Sequence, residues 1–453
     1  MVLRDKDSGH HLFLTRGRYE DNIDWRKMDW NGSERSFAML RREFLRAAGV
    51  TGAAMAFGMT ARANQLHPEI DRTLISRYLR RLIPSREQVD NFLRGRQGPE
   101  KLSRNQGWLF DGELGWILCD SVRPRSVDGS RGFYRYQTDG ARKVIHFPDK
   151  PCRIHTYGNS FTHCDQVSDG ETWQEYLAAH LQEPIRNYGV GGYGVYQAYR
   201  RMLKVEKSSP AKYIILNIWD DDHYRNLDSW RAIRFGHRTP CGYTLPFLRV
   251  NVQENRCEQL ENLCSKPEEV YRLCDEDYVL RTFGDDPVLY VALCTRAGVK
   301  PSRKLLMSVS KAFGISDETI LGLKPEEAIR KTHTEAALFA TKNIVTWTEQ
   351  FVEKTGRKLM LILSFGRGNI ARALQGMSGF DQTFVDWLKD KPYPVIDMRD
   401  CFKAEFAQFN TDVNTYLKRY YIGHHNPAGN FFTAWTLKHH LVEWLHPRPS
   451  PYL

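Results

Sequence analysis

From Cys152 onward the chain alternates short apolar runs with amphipathic helical stretches, and this alternation is what most restricts its fold. The runs RIHTY, IRNYG, KYIILNIW, KLMLILSF and YPVIDM are mostly apolar and bounded by turn residues. Separated by helical crossovers, such runs require a parallel sheet covered on both faces. The expected class is α/β: three layers, α/β/α, around a doubly wound five-stranded parallel sheet. Sheets of this kind carry reactive groups just beyond the carboxyl ends of their strands.

Between the third and fourth runs lies a connection of residues 228–345. Structureless connections inside compact domains rarely exceed about 15 residues, so this one reads as an insertion subdomain, forming a lid or a cleft wall. It divides the core into residues 151–227 and 346–447. Residues 64–150 read as a cap or lead-in, a basic helix IDRTLISRYLRRLI followed by short aromatic, Gly-rich strands.

Residues 39–63 read as an export signal. Arg41 and Arg42 precede an uncharged stretch from Ala47 to Met59, too short to span a bilayer, and Ala61-Arg62-Ala63 suits a signal peptidase. Arg41, Arg42, Phe44 and Leu45 resemble a twin-arginine signal, which implies twin-arginine export machinery and a periplasmic or extracellular location. Residues 1–38 fit no signal region, so Met39 is an alternative start.

The formal charge is +11, and +8 once the 11 basic and 8 acidic residues of 1–63 are removed. That mild excess is scattered without a Lys/Arg run, so no nucleic-acid partner is expected. Nine cysteines cannot all pair within one chain; an oxidising compartment permits a disulfide among Cys257, Cys264 and Cys274. No Cys-x-x-Cys pair occurs, and neither a metal nor a cofactor is expected.

Three stretches place reactive side chains at the expected sheet edge. The first run ends in Gly158-Asn159-Ser160, where a sharp turn would expose the serine oxygen beside helical N–H groups. Serine is also a common helix cap, so this position gains meaning only from its neighbours. The second run closes in Gly189, Gly191, Gly192 and Gly194, whose spacing fits neither a Walker motif nor a dinucleotide fingerprint. The third ends in Asp220-Asp221-Asp222-His223, and near the chain's end His424 and His425 precede Asn426-Pro427 and a final helix. A histidine at such a junction can take a serine's proton.

Taken together, the blocks resemble the SGNH, or GDSL-type, serine hydrolases. Gly158-Asn159-Ser160-Phe161-Thr162 stands where that family often has Gly-Asp-Ser-Phe-Thr. Asn187, Gly189, Gly192, Tyr193 and Gly194 match its second block, and His424, Asn426, Pro427 and Gly429 its last. The resemblance spans residues 152–446 and implies a flavodoxin-like strand order. It makes Ser160 the nucleophile and His424 the general base, with the N–H groups of Ser160 and Gly192 as an oxyanion hole. Asp221 stands near the family's oxyanion-binding asparagine, and Tyr420 to Gly423 replace the aspartate that precedes the histidine. The ring's orienting partner must then come from elsewhere, either Asp222 or a backbone carbonyl, or the site runs as a Ser-His dyad. Asn159, Tyr193, His223 and His425 are candidates to line the substrate; His155 and His163 read as packed histidines. The implied activity is an exported serine esterase acting on carboxylic esters, among them O-acetyl groups on carbohydrate. The alternatives are an O-acetyltransferase on the same fold and an inactive carbohydrate-binding or cell-surface protein.

Overall fold

A computed structural model describes residues 70–94, 107–123, 126, 129–238 and 243–453. The export signal expected at 39–63, the extension before it and Cys241 lie outside the described residues. The central sheet has five parallel strands, β1 (Ile154–Tyr157), β2 (Arg186–Asn187), β3 (Tyr213–Trp219), β4 (Lys358–Ser364) and β5 (Val395–Asp397). Their spatial order is β5-β4-β3-β1-β2. β3 and β4 pair along their full lengths, from Tyr213 opposite Lys358 to Trp219 opposite Ser364. β1 and the body of β3 are buried on both faces, which is why their sequences lack a polar stripe.

Six helices matter for the site: α1 (Ser160–His163), α2 (Trp173–Leu181), α3 (Val195–Ser208), α4 (Asp222–Arg225), α5 (Pro325–Lys354) and α6 (Pro427–Trp444). Thr172 opens α2 by accepting from the Glu175 N–H, and the helix buries Trp173, Leu177 and Leu181. Asn426 caps α6 by accepting from the Gly429 N–H, and Pro427 occupies the first turn, where no donor is needed. α2 packs on α6 and α3 packs on α5. The chain steps outward from β1 to β2 through α2 and back to β3 through α3, so right-handed crossovers put these two pairs on opposite faces of the sheet.

The insertion contains a hairpin, Phe247–Asn251 with Arg256–Leu260, and several helices. The boundary expected near 345 falls inside α5, which is unbroken over 30 residues. Its first part meets the insertion, where Thr332 and Ser310 share a hydrogen bond of 3.1 Å. Its later part packs Trp347 against Tyr196 and Tyr199 of α3. Residues Gln65–Leu453 accordingly form one compact unit. Cys257, Cys264 and Cys274 are free thiols, so the disulfide considered among them does not form here. Among the described residues, no helix is long and apolar enough to cross a membrane.

Candidate active site

β1 ends at Tyr157, and the chain turns through Gly158 and Asn159 into α1, whose first residue is Ser160. The Asn159 side chain accepts from the Phe161 N–H at 2.7 Å and donates to the Asp222 carboxylate. Asp222 also accepts from the Trp219 N–H at 3.0 Å and from Arg225 at 2.9 Å. Burial pushes its carboxyl up to about 7 despite the arginine. These bonds fasten the serine turn to the end of β3. Asn187 fastens the second glycine loop to the same turn: its Nδ2 donates to Thr162 O at 2.8 Å and its Oδ1 accepts from Gly189 N at 2.9 Å. A Cβ on Gly189 would lie 2.3 Å from His163 N, so only glycine lets the loop pass this close.

Ser160 Oγ lies 2.8 Å from His424 Nε2. The other ring nitrogen, Nδ1, is 3.2 Å from Gln166 Oε1, which also accepts from the His424 backbone N–H at 2.8 Å. A backbone N–H can only donate, so the oxygen of the Gln166 amide must face the histidine. Nδ1 then carries the ring proton, and Nε2 is left as the acceptor for the serine hydroxyl. The Gln166 Nε2 is 3.4 Å from Ile422 O, which suits the same orientation. Burial holds the His424 pKa below its ordinary value, opposed by Asp165 and helped by Arg225.

Gln166 is set in place by residues outside the core blocks. Its N–H donates to Tyr134 Oη at 2.6 Å, and its carbonyl accepts from Ser126 at 2.6 Å. The buried Arg142 donates to the carbonyls of His163, Cys164 and Val167, at 2.5, 3.0 and 2.5 Å, closing the carbonyl end of α1. Beside Gln166, Asp165 Oδ1 is 2.6 Å from His163 Nδ1, and His163 Nε2 is 2.6 Å from Tyr136 Oη. Burial alone would raise the Asp165 pKa, but His163 outweighs it and holds the carboxyl well below the usual range, with His424 adding to the effect. An ionised carboxylate therefore sits close to the His424 ring without bonding it.

The glycine loop is pinned at three successive carbonyls. Trp116 Nε1 donates to Gly191 O at 3.2 Å, Arg231 to Gly192 O at 2.5 Å and Arg225 to Tyr193 O at 3.0 Å. In a trans peptide the C=O and the next N–H point opposite ways, so Trp116 fixes the Gly192 N–H facing away from itself. Gly192 has φ +81, a conformation that favours glycine. Among the described residues, the N–H groups of Ser160 and Gly192 donate to no other atom of the chain. Ser160 is 5% exposed, and His424 and Gly192 are partly exposed.

Several expectations need correction. Asp221 cannot offer a proton to an oxyanion: its carboxylate is bonded to Arg234 at 2.8 and 3.0 Å and to Arg225 at 2.8 Å. Burial would raise its pKa, yet Arg234 and then Arg225 hold it well below the ordinary range. Asp222 is not the ring's partner, since its oxygens serve Asn159, Trp219 and Arg225. None of the four substrate-lining candidates is available to a ligand. Asn159 is fully buried in the turn, and the buried Tyr193 hydroxyl donates to Trp116 O at 2.5 Å. His223 is buried against Phe384, with Nδ1 2.9 Å from Thr341 Oγ1. His425 is buried among Phe161, Phe402 and Tyr421. His155 and His163 are packed and hydrogen-bonded, His155 to Glu206 at 2.8 Å. Among the described residues, no group of three His, Cys, Asp or Glu is arranged to hold a metal ion.

Gln166, Asp165, Arg142, Trp116 and Arg231 escaped the sequence reading. Gln166 and Asp165 lie within the serine block, but their spacing from Ser160 matches no pattern that points to a histidine from the chain's far end.

No protein-family model and no curated protein matches this chain. Among solved structures it is similar to a protein assigned to the G-D-S-L family of lipolytic proteins from Desulfitobacterium hafniense DCB-2. The two share 10% identity, over 60% of this chain and 99% of that one, with a TM-score of 0.18. A superposition of that quality carries no inference about activity.

Proposed function

We propose that this protein is a serine esterase of the SGNH type that hydrolyses carboxylic esters through an acyl-enzyme on Ser160. The observation that carries this reading is the 2.8 Å contact between Ser160 Oγ and His424 Nε2, in the tautomer that accepts the serine proton. His424 takes that proton as Oγ attacks the ester carbonyl, then gives it to the departing alkoxide. The unpartnered N–H groups of Ser160 and Gly192 receive the oxyanion. Water, activated by the same histidine, releases the acid. Gln166 keeps the ring oriented, and the Asp165 carboxylate favours the transient imidazolium through space.

Short-chain acyl groups, including O-acetyl groups on carbohydrate, are the proposed substrates, and an exported site of action is proposed from the signal-like sequence of residues 39–63. The acyl-enzyme could pass its group to a sugar hydroxyl instead of water, and product analysis with a glycan acceptor separates the two. The test is hydrolysis of p-nitrophenyl acetate by the purified protein and by Ser160→Ala and His424→Ala. Turnover by the parent, with each variant reduced about 1,000-fold or more, is the expected result. Variants as active as the parent would refute the assignment.

A further inference from the structure

Behind the Asp221–Arg234 pair the insertion forms a cavity of about 350 Å³, within the range of roughly 300–1,000 Å³ seen for small-ligand sites. Its lining carries a positive excess: of Arg234, Arg296 and Arg330, Arg234 is matched by Asp221 in the lining and by Asp228 behind it, at 2.9 and 3.1 Å, which leaves Arg296 and Arg330. Asp221 is already neutralised by Arg225 and by both terminal nitrogens of Arg234. Among the described residues, neither Arg296 nor Arg330 is paired with a carboxylate. His333 also lines the cavity and is 6% exposed; its Nε2 has no hydrogen-bond partner and is itself closed off from solvent, so the ring meets the cavity through its other atoms. Burial draws this imidazole down to about 3, so at neutral pH it is uncharged and has one N–H to donate. The hydroxyl of Thr295, which donates to Val291 O at 2.9 Å, keeps its lone pairs for a protonated oxygen.

We propose that this cavity binds an oxyanion, a carboxylate, sulfate or phosphate group, between the guanidiniums of Arg296 and Arg330 with the His333 imidazole beside them. Guanidiniums meet planar or tetrahedral oxyanions through paired N–H groups, and two without carboxylate partners lining one cavity offer more such groups than a lone surface arginine does. The volume leaves room for the sugar or acyl body that carries the anionic group. Arg234 links the cavity through Asp221 and Arg225 to Tyr193 O, so an occupant sits two ion pairs from the glycine loop. Binding itself does not depend on the esterase reading; only a role as a subsite for an acidic substrate rests on it.

The experiment is calorimetric titration of Ser160→Ala protein at low ionic strength with inorganic phosphate, with glucuronate and with glucose, repeated in Arg296→Gln/Arg330→Gln. Circular dichroism verifies the fold of the double variant, whose altered side chains are exposed. Saturable one-to-one binding of phosphate or glucuronate, weakened on the order of tenfold or more by the double variant and absent with glucose, supports the site. Glucuronate binding tighter than phosphate marks a subsite for an acidic sugar, whereas phosphate alone marks a free-ion site. Absence of saturable binding by either anion, or binding unchanged in the double variant, overturns the proposal. The titration involves no turnover, so an inactive serine leaves its outcome untouched.

Discussion

Gln166→Glu converts the histidine's neutral partner into a charged one without moving any atom by design. Glutamate keeps an oxygen for the His424 backbone N–H, 2.8 Å away, and for Nδ1, 3.2 Å away. The change is chiefly electrostatic; it also gives up the long Gln166 Nε2 bond to Ile422 O, which Gln166→Ala loses as well. Two unit charges about 3–4 Å apart attract by roughly 4–5 kcal/mol at an effective dielectric near 20. Removing the new carboxylate from water takes back much of that, which leaves a rise of about 1–2 pH units in the histidine pKa. In the parent, burial holds His424 below its ordinary 6.5, so the acid limb of kcat/KM lies below that pH. Raising the folded pKa extends the protonated, inactive range upward. Gln166→Glu should lose activity relative to the parent on the acid side, with its acid limb displaced upward, while matching or exceeding the parent on the alkaline plateau. The assay is kcat/KM for p-nitrophenyl acetate from pH 4.5 to 9, with Gln166→Ala as the control that loses the one oxygen accepting both bonds. That control should fall about 10- to 100-fold in kcat without an upward move of its limb. An acid limb that stays put or falls in Gln166→Glu would refute the assignment of Gln166 as the ring's partner.

Three further outcomes follow from the same geometry. Trp116→Phe removes the donor that fixes the Gly191 carbonyl, and Arg231→Lys loosens the next one; each should lower kcat about tenfold with KM within about twofold, read by steady-state kinetics. Asp165→Asn should displace the acid limb downward, because the field that favours the His424 imidazolium is gone while Gln166 remains. Acid should unfold the protein through its buried neutral histidines. His223, His333 and His425 are drawn down to about 4, 3 and 3, chiefly by burial. Since their folded values lie below the unfolded 6.5, the unfolded chain binds protons first as pH falls. Stability is complete above about pH 6.5 and declines toward pH 4, by on the order of 2–3 kcal/mol per histidine, visible as a falling Tm.

The sheet was legible because its central strands, β3 and β4, are long, largely buried apolar runs and the shorter strands are bounded by turn residues; the five runs coincide with β1 to β5 to within a few residues. Ser160, Gly192 and His424 were legible as positions because glycines, a turn and a proline-led helix mark the strand ends that carry them. The electrostatic partners were not. Gln166 reaches His424 across 258 residues of chain, and its φ of +76 is set by Tyr134, Ser126 and the Arg142-capped loop rather than by its own type. Asp221 and Asp222 were placed at the right edge, but nothing in the sequence marks Arg225, three or four residues on, or Arg234, further along the chain, as their partners. Four polar candidates near the serine proved to be structural because polarity in sequence does not reveal burial; Asn159 and Tyr193 both show 0% exposure.

A nucleophilic serine served by a neutral imidazole is tested most directly by peptide mapping after treatment with a fluorophosphonate. The account predicts one stoichiometric phosphonyl adduct on Ser160, formed faster as His424 deprotonates and lost in Ser160→Ala and His424→Ala. A folded protein that remains unlabelled at Ser160, or one labelled equally well without His424, would contradict it.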